Sequence, residues 1–170
     1  MTAGPDRKQI DLILAERARR LARPLAEAAD APAAELVAFS TGSERYAVAT
    51  DAIYRVERIQ RTAPLPDAAP HFAGITNLHG QLVPLVDVGL LLASAPCDDP
   101  GFAVVLGGTR PDIGLRAQSL LDIFSLPLEL LRRPAGARGI VHHITADGIA
   151  VLDAAALLAD RRLTHEEALL

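Results

Sequence analysis

Gly74-Ile75-Thr76-Asn77-Leu78-His79-Gly80-Gln81-Leu82-Val83-Pro84-Leu85-Val86-Asp87-Val88-Gly89-Leu90-Leu91-Leu92 is the stretch whose reading decides the fold. Two apolar runs, Ala73–Leu78 and Leu82–Val86, flank a turn at His79-Gly80, which predicts a β-hairpin. Gly80 is expected there for positive φ, and Asn77 to satisfy backbone groups of the turn. Gly74 and Pro84 read as structural positions of the same unit. Asp87 is expected to N-cap a short helix ending near Leu92. A weaker copy runs from Gly139 through the Asp147-Gly148 turn to Asp153 and Leu157-Leu158. Gly148 and Asp153 take the roles of Gly80 and Asp87, with Asp153 capping a helix over Ala154–Ala159. The spacing from Asp87 to Leu91-Leu92 equals that from Asp153 to Leu157-Leu158, which points to duplication.

The remaining segments fit the same order. Leu36–Thr41 and Tyr46–Ala49 flank a polar turn and read as a hairpin, Asp51–Ile53 as a helical turn, and Tyr54–Thr62 as a third strand. Pro64, Pro66 and Pro70 impose an extended crossing. In the second half Phe102–Leu106 and Asp112–Ala117 form a hairpin about Gly107-Gly108, and Leu120–Leu126 matches the third strand. Pro127–Pro134 is a crossing with a helical piece at Leu128–Leu131. Gly139–Thr145 and Ile149–Leu152 complete the set. Five strands per half are too few for an open sandwich, and closing each sheet into a small barrel removes its edges. The expected organisation is an arm over 1–34, a first barrel over about 35–93, a second over about 102–153, a closing helix to about 163, and a tail over 164–170. The arm carries an amphipathic helix from Asp6 to about Arg23, ended by Pro24, with Ile10, Ile13, Leu14, Ala18 and Leu21 on one face. That helix can pack on the body, dock a partner or lie on a membrane surface, and the pattern alone leaves the three open.

Composition narrows the function. Half of the 170 residues are hydrophobic and mean hydropathy is +0.22, enough for a packed core. A formal net charge of −4 argues against nucleic acid as a partner. Aromatic residues are 4% and Trp is absent, so base-stacking platforms are poorly supported. No apolar h-region marks a signal peptide. The uncharged run after Ala68 holds Pro70, Asn77 and Pro84, which excludes a membrane-spanning helix. Together with a lone Cys97, which cannot form an internal disulfide, this predicts a cytoplasmic protein without membrane insertion. No catalytic, metal or cofactor set is legible. Asp87 and Asp153 fall in different barrels of a duplicated fold. His142 and His143 are consecutive on a strand and point to opposite faces. Cys97 reads as an inert loop residue, and no Gly-rich phosphate loop opens a helix.

From about Glu35 to Leu163 the chain resembles the CheW-like domain, the adaptor of bacterial chemosensory signalling. The resemblance rests on Gly74-Ile75-Thr76-Asn77-Leu78-His79-Gly80 followed by Val83-Pro84-Leu85-Val86-Asp87, similar to the family's G-x-x-N-L-R-G and x-P-x-x-D. Phe39 with Tyr46-Ala47-Val48, Val56-x-x-Ile59, and Pro66-x-x-x-Pro70-x-Phe72 add to it. It implies two SH3-like five-stranded barrels and a non-catalytic adaptor. Its partners would be the cytoplasmic tip of chemoreceptors (methyl-accepting chemotaxis proteins), the regulatory domain of a CheA-type histidine kinase, and other CheW-like domains, at membrane-associated receptor arrays. The partner-binding residues expected from these motifs are Val56, Glu57, Arg58, Ile59, Asn77, His79, Gly80 and Val83. Two positions depart from the pattern. His79 stands where the family usually has Arg, and Arg58 where it often has Glu, so protonating His79 is expected to set like charges against each other. Alternative readings are a small-molecule-sensing module of an accessory chemosensory-like pathway, with an apolar ligand in the groove between barrels, and an enzyme using Asp87, His79 or His142.

Overall fold

A computed structural model describes residues 32–132 and 139–163. The expected arm helix, the crossing beyond Arg132 and the tail lie outside these residues. Among the described residues ten strands are present: β1 Ala33–Thr41, β2 Glu44–Ala49, β3 Ile53–Arg58, β4 Phe72–Leu78, β5 Gln81–Val86, β6 Phe102–Leu106, β7 Ile113–Ala117, β8 Ser119–Pro127, β9 Val141–Ile144 and β10 Ala150–Leu152. Two short helices, α1 Val88–Leu91 and α2 Ala154–Leu158, follow β5 and β10. Single 3₁₀ turns form at Thr50–Ala52 and Leu128–Leu131. Ala33 and Ala34, expected in the arm, already belong to β1, where they pair with Pro127 and Leu126.

The strands form two five-stranded sheets, ordered β8-β1-β2-β10-β9 and β3-β6-β7-β5-β4. This overturns the assignment of one barrel to residues 35–93 and the other to 102–153. Each sheet takes its hairpin from one half of the chain and its other strands from the other half. Substituting β1–β5 for β6–β10 turns one strand order into the other. The crossings occur at the 3₁₀ turn, where Gly107 N–H donates to Ala52 O at 3.2 Å, and at Gln118, whose N–H donates to Ser40 O at 2.7 Å. Period-two patterning fixes which face a strand buries but not which strand it pairs with, so the exchange is invisible in the sequence.

Burial follows from the exchange. A central core joins both halves through Phe39, Tyr46, Val48, Val86, Val104, Leu106, Leu115, Leu152 and Leu157. The opposite face of each sheet has its own small interior: Leu78, Val83, Leu85, Ala103 and Val105 in one, and Leu36, Ala38, Ala47 and Val151 in the other. Strands buried on both faces read as continuous apolar runs rather than as alternation, as in Ala103-Val104-Val105-Leu106. No ladder joins β3 to β4, yet the chain leaving β3 closes that seam. Ala63 and Ile75 exchange backbone bonds of 2.8 Å, and Thr76 Oγ1 donates to Arg61 O at 2.8 Å. Gly74 permits the approach. At φ +132, a Cβ on it would lie 2.4 Å from Ala63 O. Pro84 sits one residue before β5 begins to pair with β7 at Leu85, where its missing N–H is not needed.

The two cap positions are both used. Asp87 Oδ1 accepts from Leu90 N–H at 3.2 Å, and Asp153 Oδ1 from Ala156 N–H at 2.8 Å. Asp87 is fully buried, and its Oδ2 also accepts from Cys97 N–H at 2.8 Å and faces Arg116 at 3.4 Å. Beyond α2, Asp160 and Arg162 form a bidentate pair, with Nε to Oδ1 at 3.0 Å and a second nitrogen to Oδ2 at 2.8 Å.

Two stability outcomes follow. Replacing Asp87 by Ala strands Arg116 and two backbone N–H groups, and is expected to cost about 3 kcal/mol in urea unfolding. The hydrogen bonds from Arg162 hold the Asp160 carboxyl below its ordinary value of 3.8. Its contribution to stability is therefore present above that value and is lost as pH falls below it through the depressed folded value. The stability gap between wild type and Asp160→Asn is expected to persist at neutral pH and to close on acidification past the ordinary value, as read from unfolding midpoints.

Candidate functional site

The β4–β5 hairpin turns at His79 and Gly80, with φ of +51 and +89, the paired positive values of a type I′ turn. Asn77 Oδ1 accepts from Gly80 N–H at 2.7 Å and so serves the turn. No atom lies within 4 Å of a Cβ built on Gly80, so glycine answers a conformational need there rather than a shortage of space. In the Asp147-Gly148 turn of the second half only Gly148 takes positive φ, at +75, and its N–H donates to Thr145 O at 2.9 Å, so that turn is of a different type.

His79 does not meet Arg58. Its Nε2 lies 3.1 Å from Glu57 Oε1, while Glu57 Oε2 accepts from Arg55 at 3.3 Å. One carboxylate thus sits between an imidazole at the hairpin tip and a guanidinium on its own strand. Arg58 instead lies over the Phe102 ring, 5.5 Å from its centroid. The alternation of a strand explains the correction, because adjacent residues point to opposite faces and only one of Glu57 and Arg58 can face the tip. The expected like-charge encounter is replaced by an acid against a base.

The other predicted positions divide by burial. Val56, at the edge of its sheet, is 37% exposed. Ile59 packs half-buried against the interior of the same sheet. Val83 is fully buried, so its expected partner role is corrected. It is two residues from Leu85, and both side chains point into that interior. Cys97, expected in a polar loop, is also buried, and burial pushes its thiol above the ordinary value, away from nucleophilic reactivity. His142 Nδ1 stands 3.9 Å from Asp153 Oδ2, beyond hydrogen-bond reach. Among the described residues no three His, Cys, Asp or Glu side chains gather as a metal set, and no helix is long and apolar enough to cross a membrane.

Sequence reasoning missed two surfaces. Leu82 is 72% exposed and lines a groove of about 760 Å³ together with Leu65, Phe72, Ile75, Ile113 and Leu163. Arg110 and Asp112, 3.6 Å apart, lie at the same groove. On the other sheet, the outer strands β8 and β9 expose Ile123 (63%) and Ile144 (64%). Leu120-Leu121 beside Ile123 breaks clean alternation, and that was the available signal for an apolar outer surface.

A family model described as "CheW-like domain" matches residues 35–162. A probable chemotaxis protein CheW of Rhizobium etli is 22% identical over 121 residues, covering 70% of this chain and 78% of its own length. The chemotaxis protein CheW of Klebsiella aerogenes is 23% identical over 100 residues, covering 58% of this chain and 60% of its own. Among solved structures, the scaffolding protein TtCheW of Thermoanaerobacter tengcongensis superposes with a TM-score of 0.60 at 16% identity, covering 72% of this chain and 90% of that one.

The tip geometry is open to a double-mutant cycle on Glu57→Ala and His79→Ala. Both side chains are partly solvated, so the expected coupling is at most about 1 kcal/mol. The carboxylate also faces Arg55 at 3.3 Å, so Glu57→Ala is expected to change stability more than His79→Ala. A coupling indistinguishable from zero would show that the contact contributes nothing to stability.

Proposed function

The chain belongs to the CheW-like domain family, and from that premise we propose that it is a non-catalytic adaptor coupling chemoreceptors to a CheA-type histidine kinase. A chemotaxis scaffold or adaptor role is the family's, and the proposal adds the partners. They are the cytoplasmic tip of methyl-accepting chemotaxis proteins, the kinase regulatory domain, and other CheW-like domains, met in the cytoplasm at receptor arrays. Each five-stranded sheet is, on this reading, an SH3-like barrel that acts by contact and needs no cofactor.

The observation that carries the proposal is the β3 edge beside the hairpin tip. Val56 offers exposed apolar area, Arg58 stands on the same face, and the Glu57–His79 pair lies around the corner. Apolar area ringed by charge is the ordinary composition of a protein interface. The acid–base pair at the tip also favours the standard partners over a dedicated accessory pathway, because a carboxylate and a basic side chain meet at 3.1 Å at the place where the motif pattern leads one to expect such a pair. Glu57, Arg58, His79 and Val56 carry the contact on this reading, Ile59 supports them from below, and Asn77 and Gly80 shape the tip.

Calorimetry with a kinase regulatory domain and with a receptor tip tests it. Val56→Glu is expected to weaken binding of one of the two by about 2 kcal/mol, roughly thirtyfold, with an unchanged melting transition. Wild-type protein that binds neither partner, or a Val56→Glu variant that binds both normally, would sink the proposal.

A further inference from the structure

The two halves end their helices differently. After α1 the chain runs on to β6 and is held on the way by a fully buried group, since Cys97 N–H donates to Asp87 at 2.8 Å. After α2 no strand follows among the described residues. The turn over Asp160–Leu163 is instead closed by Leu163 N–H to Asp160 O at 2.9 Å. It is tied to the first half by Arg162, which donates to Leu91 O at 2.8 Å, at the end of α1. His71 Nε2–H donates to Arg162 O at 3.0 Å. The Arg162 side chain is 47% exposed and its bonds to Asp160 and from His71 are exposed, while its bond to Leu91 O is only partly buried, unlike the fully buried Asp87 anchor.

What the turn holds in place is apolar. Leu163 and Leu158 line the groove that also contains Phe72, Ile75, Leu82 and Ile113, and Leu163 packs against the central core. Segments fixed by a few solvent-exposed bonds open at lower free energy than segments fixed by ladders. An opening here uncovers groove wall without breaking a strand pair.

We propose that the Asp160–Leu163 turn is a releasable latch, in which letting go of the Arg162–Leu91 bond frees Leu163 from the groove wall and widens the apolar groove. Asp160 sets the geometry of the latch by gripping the guanidinium on two sides, which leaves the third nitrogen aimed at Leu91 O. Arg162 is a positioning residue here and plays no part in the β3 edge. The inference therefore stands apart from the identity of any partner.

The test uses the full chain carrying Arg162→Ala, and the same change combined with Leu82→Asp. Amide hydrogen exchange over residues 159–163 is expected to rise at least about tenfold, with β6 and β7 unchanged. An apolar fluorescent dye such as anilinonaphthalene sulfonate should bind several-fold more strongly, and Leu82→Asp should remove that gain. Asp160→Asn, which spares the bond to Leu91, should give a smaller rise than Arg162→Ala. Unchanged exchange over 159–163 overturns the proposal. So does a rise spread equally over β6 and β7, or a dye gain that survives Leu82→Asp.

Discussion

Exchange of strands between the two halves is the constraint on which the rest of the structure depends. The β1–β2 hairpin completes a sheet with β8, β9 and β10, and the β6–β7 hairpin completes one with β3, β4 and β5. Neither half can satisfy its backbone groups or cover its apolar faces alone, since every sheet needs strands from both. The parallel pairs β2–β10 and β5–β7 make the dependence concrete, because each joins strands distant in sequence. The central core is a product of the same exchange. Phe39 and Tyr46 meet Leu106 and Leu115 there, and the residues one position along each strand fill the two smaller interiors.

A buried carboxylate is the second consequence. Bringing β5 beside β7 places the end of β5 next to Arg116, and Asp87 is enclosed between that guanidinium and the loop of Cys97. Burial without partners would be costly for a charge. Here each oxygen is used, one for the helix cap and one for the loop and the arginine. The corresponding Asp153 caps its helix in the same manner but is only half-buried. The duplicated unit therefore carries one rigid closure and one that is more open to solvent, and the groove lies on the side of the second.

Much of this was legible in the residues, and the parts that were not share a cause. The His79-Gly80 and Asp147-Gly148 turns, the two capping aspartates and the short helices are local features, written in turn and cap chemistry within a few positions. Strand partners are non-local, so the sequence orders ten strands without showing which sheet each one joins. Within the site the error was of another kind. Alternation along Val56-Glu57-Arg58 already implies that Glu57 and Arg58 face apart, but which of them faces the tip depends on the seam that Ala63 and Ile75 close. Val83 is misread because its neighbour on the open face, Leu82, is apolar as well, so no polar residue marks which side is inside. The apolar surface of β8 and β9 shows only as a lapse in alternation, which a buried strand would show equally.

The distribution of surface chemistry then bears on how such a molecule can work. One sheet presents charge at its edge, with Arg55, Glu57, Arg58 and His79 around a single exposed valine, while the other presents Ile123 and Ile144 on strands that carry few charges. For a protein that meets two different partners, as proposed, surfaces that do not compete are needed, and discrimination is sharper when their chemistry differs. Duplication supplies two equivalent edges, and divergence at β3 and β8 makes them unlike. Strand exchange fastens the edges to one core, so a partner pressing on β3 loads strands that also carry β1 and β2 through the residues they share, Val104 and Leu106 against Phe39 and Val48. On the proposed reading, two such contacts are held at a fixed separation, because strand exchange interweaves the two halves around one core.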